Sequence, residues 1–209
     1  MKTLIAIPCG DTVPADTLQS VIRLKISSPV QYTLVRGSLV YDARNRLAEI
    51  AIRDGFDRVL YLDSDMVFEP DMLDRFHAQL DIGKQIVCGL YTTRRPPIHT
   101  TLYSDMRLEK GPDEKFYTPV LKTLDEYPRD EPFQVKGCGF AGVMLATDVL
   151  QRVTEIYGSP FSPLPGFGED LSFCLRAGEL GIPIWCDPRI VFGHVGIHVY
   201  YPEGGAPNV

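Results

Sequence analysis

The strongest constraint on this chain is a rhythm in its first hundred residues, where short apolar runs alternate with helical patterns and turn signals. Short strands alternating with helices specify strand-helix-strand units, which assemble into a mostly parallel sheet covered by helices. Thr3 to Pro8 reads as the first buried strand, followed by a helix from Ala15 to Lys25 with Leu18, Val21, Ile22 and Lys25 at helical spacing. Gln31 to Val35 is the second strand. Ser38 can cap a helix reaching about Asp54, with Leu47, Ile50 and Ala51 on one face and Gly55 at its stop. Arg58 to Leu62 is the third strand. Glu69-Pro70-Asp71 opens another helix, with the proline in its first turn and Met72, Leu73, Phe76 and Leu80 as its buried stripe. Ile86 to Cys88 is a short fourth strand.

From Tyr91 to Pro132 prolines and charges break the pattern, which predicts loops and an edge hairpin with a substrate-covering role. Order returns in strands at Phe133-Gln134-Val135 and Val143 to Ala146. Between them stand Gly137, Gly139 and Gly142, where a backbone can approach a ligand closely. A helix from Asp148 to about Ile156, a loop from Phe161 to Gly168, a helix opened by Glu169-Asp170 and a strand from Ile184 to Val191 complete the order. The second of these helices carries Leu171, Cys174 and Leu175 on one face. With 209 residues and no repeat, linker or low-complexity tract, the expectation is one α/β domain spanning 1–209. Its central sheet is mostly parallel and flanked by helices, with a small antiparallel part.

Charge removes one class of function. The excess of 27 acidic over 21 basic residues leaves no broad positive field for a phosphate backbone, so a general nucleic-acid surface is not expected. A local pair such as Arg94-Arg95 can still grip one diphosphate through a few charge-assisted contacts. The five cysteines form no Cys-x-x-Cys pair and read as reduced, mostly buried thiols. No apolar run approaches the roughly 20 residues of a membrane span, and the run after Met1-Lys2 is too short for a signal peptide, so the cytoplasm is the expected compartment.

The chemistry gathers at Asp63-Ser64-Asp65, directly after the third strand. Open α/β sheets bind ligands beyond the carboxyl ends of their strands. Two carboxylates spaced by one residue on such a loop can present oxygens to one hard cation, Mn²⁺ or Mg²⁺, that also bridges diphosphate oxygens. Taken alone, the motif is equally a solvated turn before a helix.

The order of neighbouring motifs makes the pattern more selective. Gly37-Ser38-Leu39-Val40-Tyr41-Asp42-Ala43-Arg44-Asn45, followed by Gly55 through Asp65, resembles the donor-binding half of GT-A fold glycosyltransferases. The resemblance is to family 2-like members of the nucleotide-diphospho-sugar transferase superfamily. It implies a nucleotide-sugar-binding half at 1–90 and an acceptor and catalytic half at 91–209. Pro8 and Cys9 would border the nucleobase, and Arg44 and Asn45 would lie near the ribose or diphosphate, although Arg44 can also be read as a surface helix residue paired with Asp42. Asp63, Ser64 and Arg94 would meet the diphosphate. The resemblance further implies Asp63, Asp65 and His194 as metal ligands, Glu169-Asp170 as the acceptor-side acidic pair supplying a base or an acceptor contact, and His198 as a nearby acceptor or lid residue. Acidic residues at that helix start are also accounted for by the helix dipole. His77 and His99 carry no expected catalytic role.

The implied reaction transfers a sugar from a nucleoside diphosphate sugar, with UDP or GDP as carrier, to an acceptor hydroxyl of a glycan, small molecule or macromolecule. A sugar nucleotidyltransferase is the nearest enzymatic alternative, but it calls for a glycine-rich loop after the first strand, where this chain has Gly10-Asp11. A non-catalytic carbohydrate-binding module on a degenerate GT-A fold is the alternative from another class.

Overall fold

The computed structural model describes residues 1–110, 117–196 and 199–201, with the side chains of 199 and 200 left aside. His198 therefore lies outside the described residues. Its elements run β1 (Thr3–Cys9), α1 (Ala15–Arg23), β2 (Val30–Arg36), α2 (Val40–Arg53), β3 (Arg58–Leu62), β4 (Met66–Phe68), α3 (Met72–Asp81) and β5 (Ile86–Leu90). The second half adds β6 (Leu102–Lys110), β7 (Tyr117–Thr123), β8 (Phe133–Val135), β9 (Gly137–Cys138), β10 (Gly142–Ala146), α4 (Thr147–Tyr157), α5 (Glu169–Glu179), β11 (Ile184–Val195) and β12 (Val199–Tyr200).

The large sheet has the order β12-β11-β5-β10-β3-β1-β2, and β4 and β8 pair with β11 off that path. β1 runs parallel to β2 and β3, and β5 runs parallel to β11. β10 is antiparallel to both β3 and β5, so it alone is reversed among the six central strands while its neighbours share one direction. A separate antiparallel sheet, β7-β6-β9, contains the hairpin expected after Tyr91. The mixed α/β architecture, with a large mostly parallel sheet and a small antiparallel one, is the one the sequence pattern specifies.

Strands covered on both faces read as continuous apolar runs, and β1, β3 and β5 are buried at every position. One face packs Leu4, Val59, Tyr61 and Val143 against Leu47, Ala51, Val149, Leu150 and Phe173 from α2, α4 and α5. The other packs Ile5, Leu60, Val87 and Met144 against Met72, Leu73, Phe76 and Leu80 of α3. Gly55 closes α2 at φ 64°, a left-handed conformation that glycine adopts without a Cβ clash.

Several local expectations need correction. α1 ends at Arg23 and buries Thr17 and Ser20, while Leu18 and Ile22 point outward. The residue preceding α2 is Leu39, with no side-chain cap, so Ser38 does not cap it. α3 begins at Met72, which puts Pro70 ahead of the helix rather than in its first turn. β11 continues past Val191 to Val195 because its distal part finds a partner in β4, a strand too short to show a period of its own. The close approaches at Gly137, Gly139 and Gly142 are to side chains. A Cβ at these positions would strike Met106, the Tyr91 hydroxyl and the Phe192 ring respectively.

Candidate active site

The shared direction of β1, β3 and β5 brings Cys9, Leu62 and Leu90 to one edge of the sheet. At that edge a cleft of about 200 Å³ is walled by Pro8, Cys9, Gly10, Gly37, Ser38, Val40, Ala43, Asp63, Ser64 and Asp65. Its position follows from topology: β1 and β3 are neighbours, and the chain leaving β2 returns over their ends to begin α2. Pro8, Cys9, Asp63 and Ser64 are thus gathered on one cleft, along with Asp65.

Behind the cleft lies a buried charge cluster. Arg44 is 3% exposed and donates from Nη2 to Asp63 Oδ1 at 2.8 Å and from Nη1 to Glu169 Oε1. It is no surface residue, and Asp42 pairs with Arg46 instead, at 3.0 Å. Burial opposes the charge on Arg44, but Asp63, Glu169 and Asp170 overcome it and hold the guanidinium protonated beyond the ordinary arginine range. Burial also raises the carboxyl of Asp63 above the usual range, with Arg44 pulling the other way and Asp65 and Glu169 adding repulsion. Asp170 is raised by burial in the same manner, against Arg44, and its Oδ1 accepts the Leu171 N–H at 2.7 Å in the first turn of α5. Arg44 Nε is buried and has no hydrogen-bond partner among the described residues.

A second cluster forms around Asp65. The β4–β11 ladder places His194 opposite Met66, and the Val195 N–H donates to the Asp65 carbonyl at 2.8 Å. His194 Nε2 then stands 3.4 Å from Asp65 Oδ2, while Nδ1 lies 3.0 Å from the Thr92 carbonyl. A carbonyl accepts only, so Nδ1 carries a proton and Nε2 is the nitrogen turned to Asp65. Arg94 also bonds Asp65 Oδ2, and its Nη1 reaches the Val195 carbonyl at 3.2 Å. Burial alone would raise Asp65, but the His194 hydrogen bond and the His194 and Arg94 charges hold it below the usual carboxylate range. His194 is correspondingly raised: burial opposes its charge, and Asp65 and the Thr92 carbonyl prevail.

The structure therefore brings Asp63, Asp65, Arg44, Arg94, Glu169, Asp170 and His194 into one neighbourhood. Asn45 is placed differently: its Oδ1 accepts the Phe161 N–H at 2.9 Å, so its side chain fastens the loop leading to α5. Sequence reading missed Tyr91. It is buried, its hydroxyl accepts the Ala141 N–H at 3.4 Å, and the Ala141 carbonyl accepts the Asp63 N–H at 3.0 Å. Its ring also meets His194 edge-on at 5.9 Å between centroids. A tyrosine just after a buried strand gives no sequence signal for such a place; only the pairing of β5 between β10 and β11 creates it.

Among the described residues no three His, Cys, Asp or Glu side chains form a group fit to hold a metal ion. Asp63 is turned to Arg44 and lies apart from His194, while Asp65 and His194 stand together as a two-residue donor set that Arg94 now shares. That pair suits Mn²⁺ or Mg²⁺ poorly as a complete cage, but it suits a cation that completes its shell with phosphate oxygens and water. The Thr92 carbonyl on Nδ1 is the kind of outer contact that orients a ligating imidazole.

No family model and no curated protein matches this chain. Among solved structures, A197 from STIV is similar over 100% of this chain and 98% of its own, at a TM-score of 0.67 and 16% identity. A CMP:2-keto-3-deoxy-manno-octonic acid synthetase complexed with CTP is similar over 90% of each chain, at a TM-score of 0.50 and 15% identity. At such identities the likeness is one of fold, and the chain shares the α/β fold of a protein that, in that complex, holds a nucleotide.

Proposed function

We propose that this protein is a nucleotide-sugar enzyme that transfers a sugar from a nucleoside diphosphate to an acceptor hydroxyl, assisted by a divalent cation. The observation carrying this reading is the cleft, whose wall sets Asp63-Ser64-Asp65 facing the Pro8-Cys9-Gly10 turn, with Asp65 beside His194. In it the nucleobase lies by Pro8 and Cys9, and the diphosphate reaches Ser64. Asp65 and His194 would hold the cation, Mn²⁺ or Mg²⁺, joined by Asp63 once it is released from Arg44, and a cation bound there would supply charge neutralisation for a leaving diphosphate. Arg94 lies within reach of the same charge.

Asp170 supplies the acceptor-side carboxylate. The acceptor hydroxyl loses its proton as its oxygen attacks the anomeric carbon, and a carboxylate of raised affinity for protons is suited to receive it. Arg44 keeps Glu169 and Asp63 in place around it.

A second reading is favoured by the fold shared with the CTP-bound synthetase: sugar nucleotidyl transfer, in which a sugar oxygen attacks a nucleoside triphosphate and pyrophosphate leaves. Against it stands the turn after β1, where Asp11 pairs with Arg36 and a single glycine precedes it. Product analysis separates the two. Incubation with UDP- and GDP-sugars and Mn²⁺ should release nucleoside diphosphate, slowly to water and faster with an acceptor. Pyrophosphate release from CTP or another triphosphate with a free sugar, and no turnover of the nucleotide sugars, would replace the first reading with the second.

A further inference from the structure

α1 is an amphipathic helix mounted with its apolar side outward. Leu18 is 53% exposed, Ile22 one turn later is 70% exposed, and Ile26 just beyond the helix is 52% exposed. The residues that α1 buries are polar, Thr17 and Ser20, with Val21 half-buried beside them and Leu24 buried just past the helix; Ser20 Oγ donates to the Asp16 carbonyl and accepts the Phe68 N–H at 3.3 Å. The Lys25 N–H donates to the Pro70 carbonyl at 2.8 Å, so both the helix and its exit are fastened to the β4–α3 segment. Rolling the helix to bury Leu18 and Ile22 would break these bonds and expose nothing better.

The cations beside this face are unpaired. Arg23 and Lys25 are exposed and make no ion pair among the described residues, and no acidic residue occurs between Thr17 and Ser28. Acids border the face further off: Asp16, two turns from Arg23 along the helix, Glu69 and Asp71 on either side of the Pro70 that Lys25 bonds, Asp71 being paired with Arg75, and Asp74, which accepts a hydrogen bond from Ser27. The apolar part is purely aliphatic. Protein interfaces centre on aromatic anchors, which α1 itself does not carry, whereas aliphatic side chains flanked by unpaired cations fit the boundary between acyl chains and anionic headgroups.

We infer that α1 is a docking face for an anionic lipid bilayer. Leu18, Ile22 and Ile26 enter the acyl boundary, and Arg23 and Lys25 reach outward to the headgroup phosphates. No described helix is long and apolar enough to cross a membrane, so the contact is peripheral. Gly10 of the cleft wall lies only a few residues before α1, so docking holds the cleft mouth near the membrane surface. Membrane attachment itself does not rest on the proposed reaction.

The test is flotation of the full chain with vesicles, without metal or nucleotide, so that its failure leaves the proposed chemistry untouched. Vesicles of phosphatidylcholine alone are compared with vesicles containing a quarter phosphatidylglycerol. The wild type should float with the anionic vesicles and much less with the neutral ones, and added salt should release it. Leu18→Glu/Ile22→Glu should lower partitioning at least tenfold, and Arg23→Gln and Lys25→Gln about fivefold each. Because these positions are exposed, the variants should keep the wild-type circular dichroism and melting temperature; Ile22→Ser serves if the double variant does not fold. Equal flotation of the wild type and Ile22→Ser, or no flotation of the wild type, would overturn the inference. So would a concentration-dependent dimer in sedimentation that Ile22→Ser dissociates, which would assign the face to a second copy.

Discussion

Replacing Arg44 by methionine keeps most of the aliphatic stem and removes the cation that Asp63 and Glu169 share. The two carboxylates are 29% and 16% exposed, so water can compensate for only part of the loss. Removing one partner of a buried ion pair costs roughly 3–5 kcal/mol. At roughly 2–4 °C per kcal/mol for a domain of this size, the melting temperature should fall by about 6–20 °C. The deficit should depend on pH with a definite sign. Burial already raises Asp63 and Asp170 above their unfolded values, and Arg44 is the main influence lowering them. Without it both rise further, the folded variant binds more protons than its unfolded chain, and its stability therefore falls as pH rises toward neutrality. Urea unfolding of the two proteins at pH 7.5 and pH 5 measures this directly: the gap should be wide at the higher pH and narrower at the lower. A gap under about 1 kcal/mol at pH 7.5, or one that does not narrow at pH 5, would show that Arg44 does not hold the cluster together.

Two further outcomes follow from the same structure. Cys88, Cys138, Cys174 and Cys186 are at most 1% exposed, whereas Cys9 is 8% exposed on the cleft wall. An aromatic disulfide reagent should therefore titrate Cys9 first in the native protein and more slowly when nucleotide fills the cleft, and Cys9→Ser should abolish that phase; equal labelling of several thiols would contradict the burial described. His77 is held below the ordinary histidine range by burial and then Arg58, with Asp81 and Asp74 opposing and the N-terminus adding to the shift. Its stabilising effect is thus present above the unfolded value and lost as pH falls through the folded one, so His77→Gln should flatten the loss of stability between about pH 7 and pH 5 in urea titrations. An unchanged slope would assign the acid sensitivity to other groups.

The strands and most helices are legible because their periods are long enough to repeat. β3 follows the Arg58–Leu62 run, and α3 buries Met72, Leu73, Phe76 and Leu80 as the pattern requires. α1 misleads because its apolar period is genuine but its burial is set elsewhere, by Ser20 and Lys25 bonding to the segment around Phe68 and Pro70. Within the site, Asp63-Ser64-Asp65 and Glu169-Asp170 stand out as motifs at element ends, where polar groups collect. The burial of Arg44 could not be read from its helix, since nothing local tells that an arginine will face carboxylates 19 and 125 residues away. The same holds for His194, whose approach to Asp65 depends on the short β4 strand, and for Tyr91, which touches both halves of the site only after the sheet is assembled.

The central claim is that Asp65 and His194 bind a divalent cation together with a nucleoside diphosphate in the cleft beside Cys9. Isothermal titration of UDP, GDP and CDP into the protein, with Mn²⁺ and then with excess chelator, tests it most directly. One of the nucleotides should bind with Mn²⁺ and lose at least tenfold in affinity without it. Asp65→Ala and His194→Ala should reproduce that loss while leaving the unfolding transition nearly in place, because both side chains keep part of their surface open to solvent. Binding that is equally tight in chelator, or unchanged in both variants, would contradict the account.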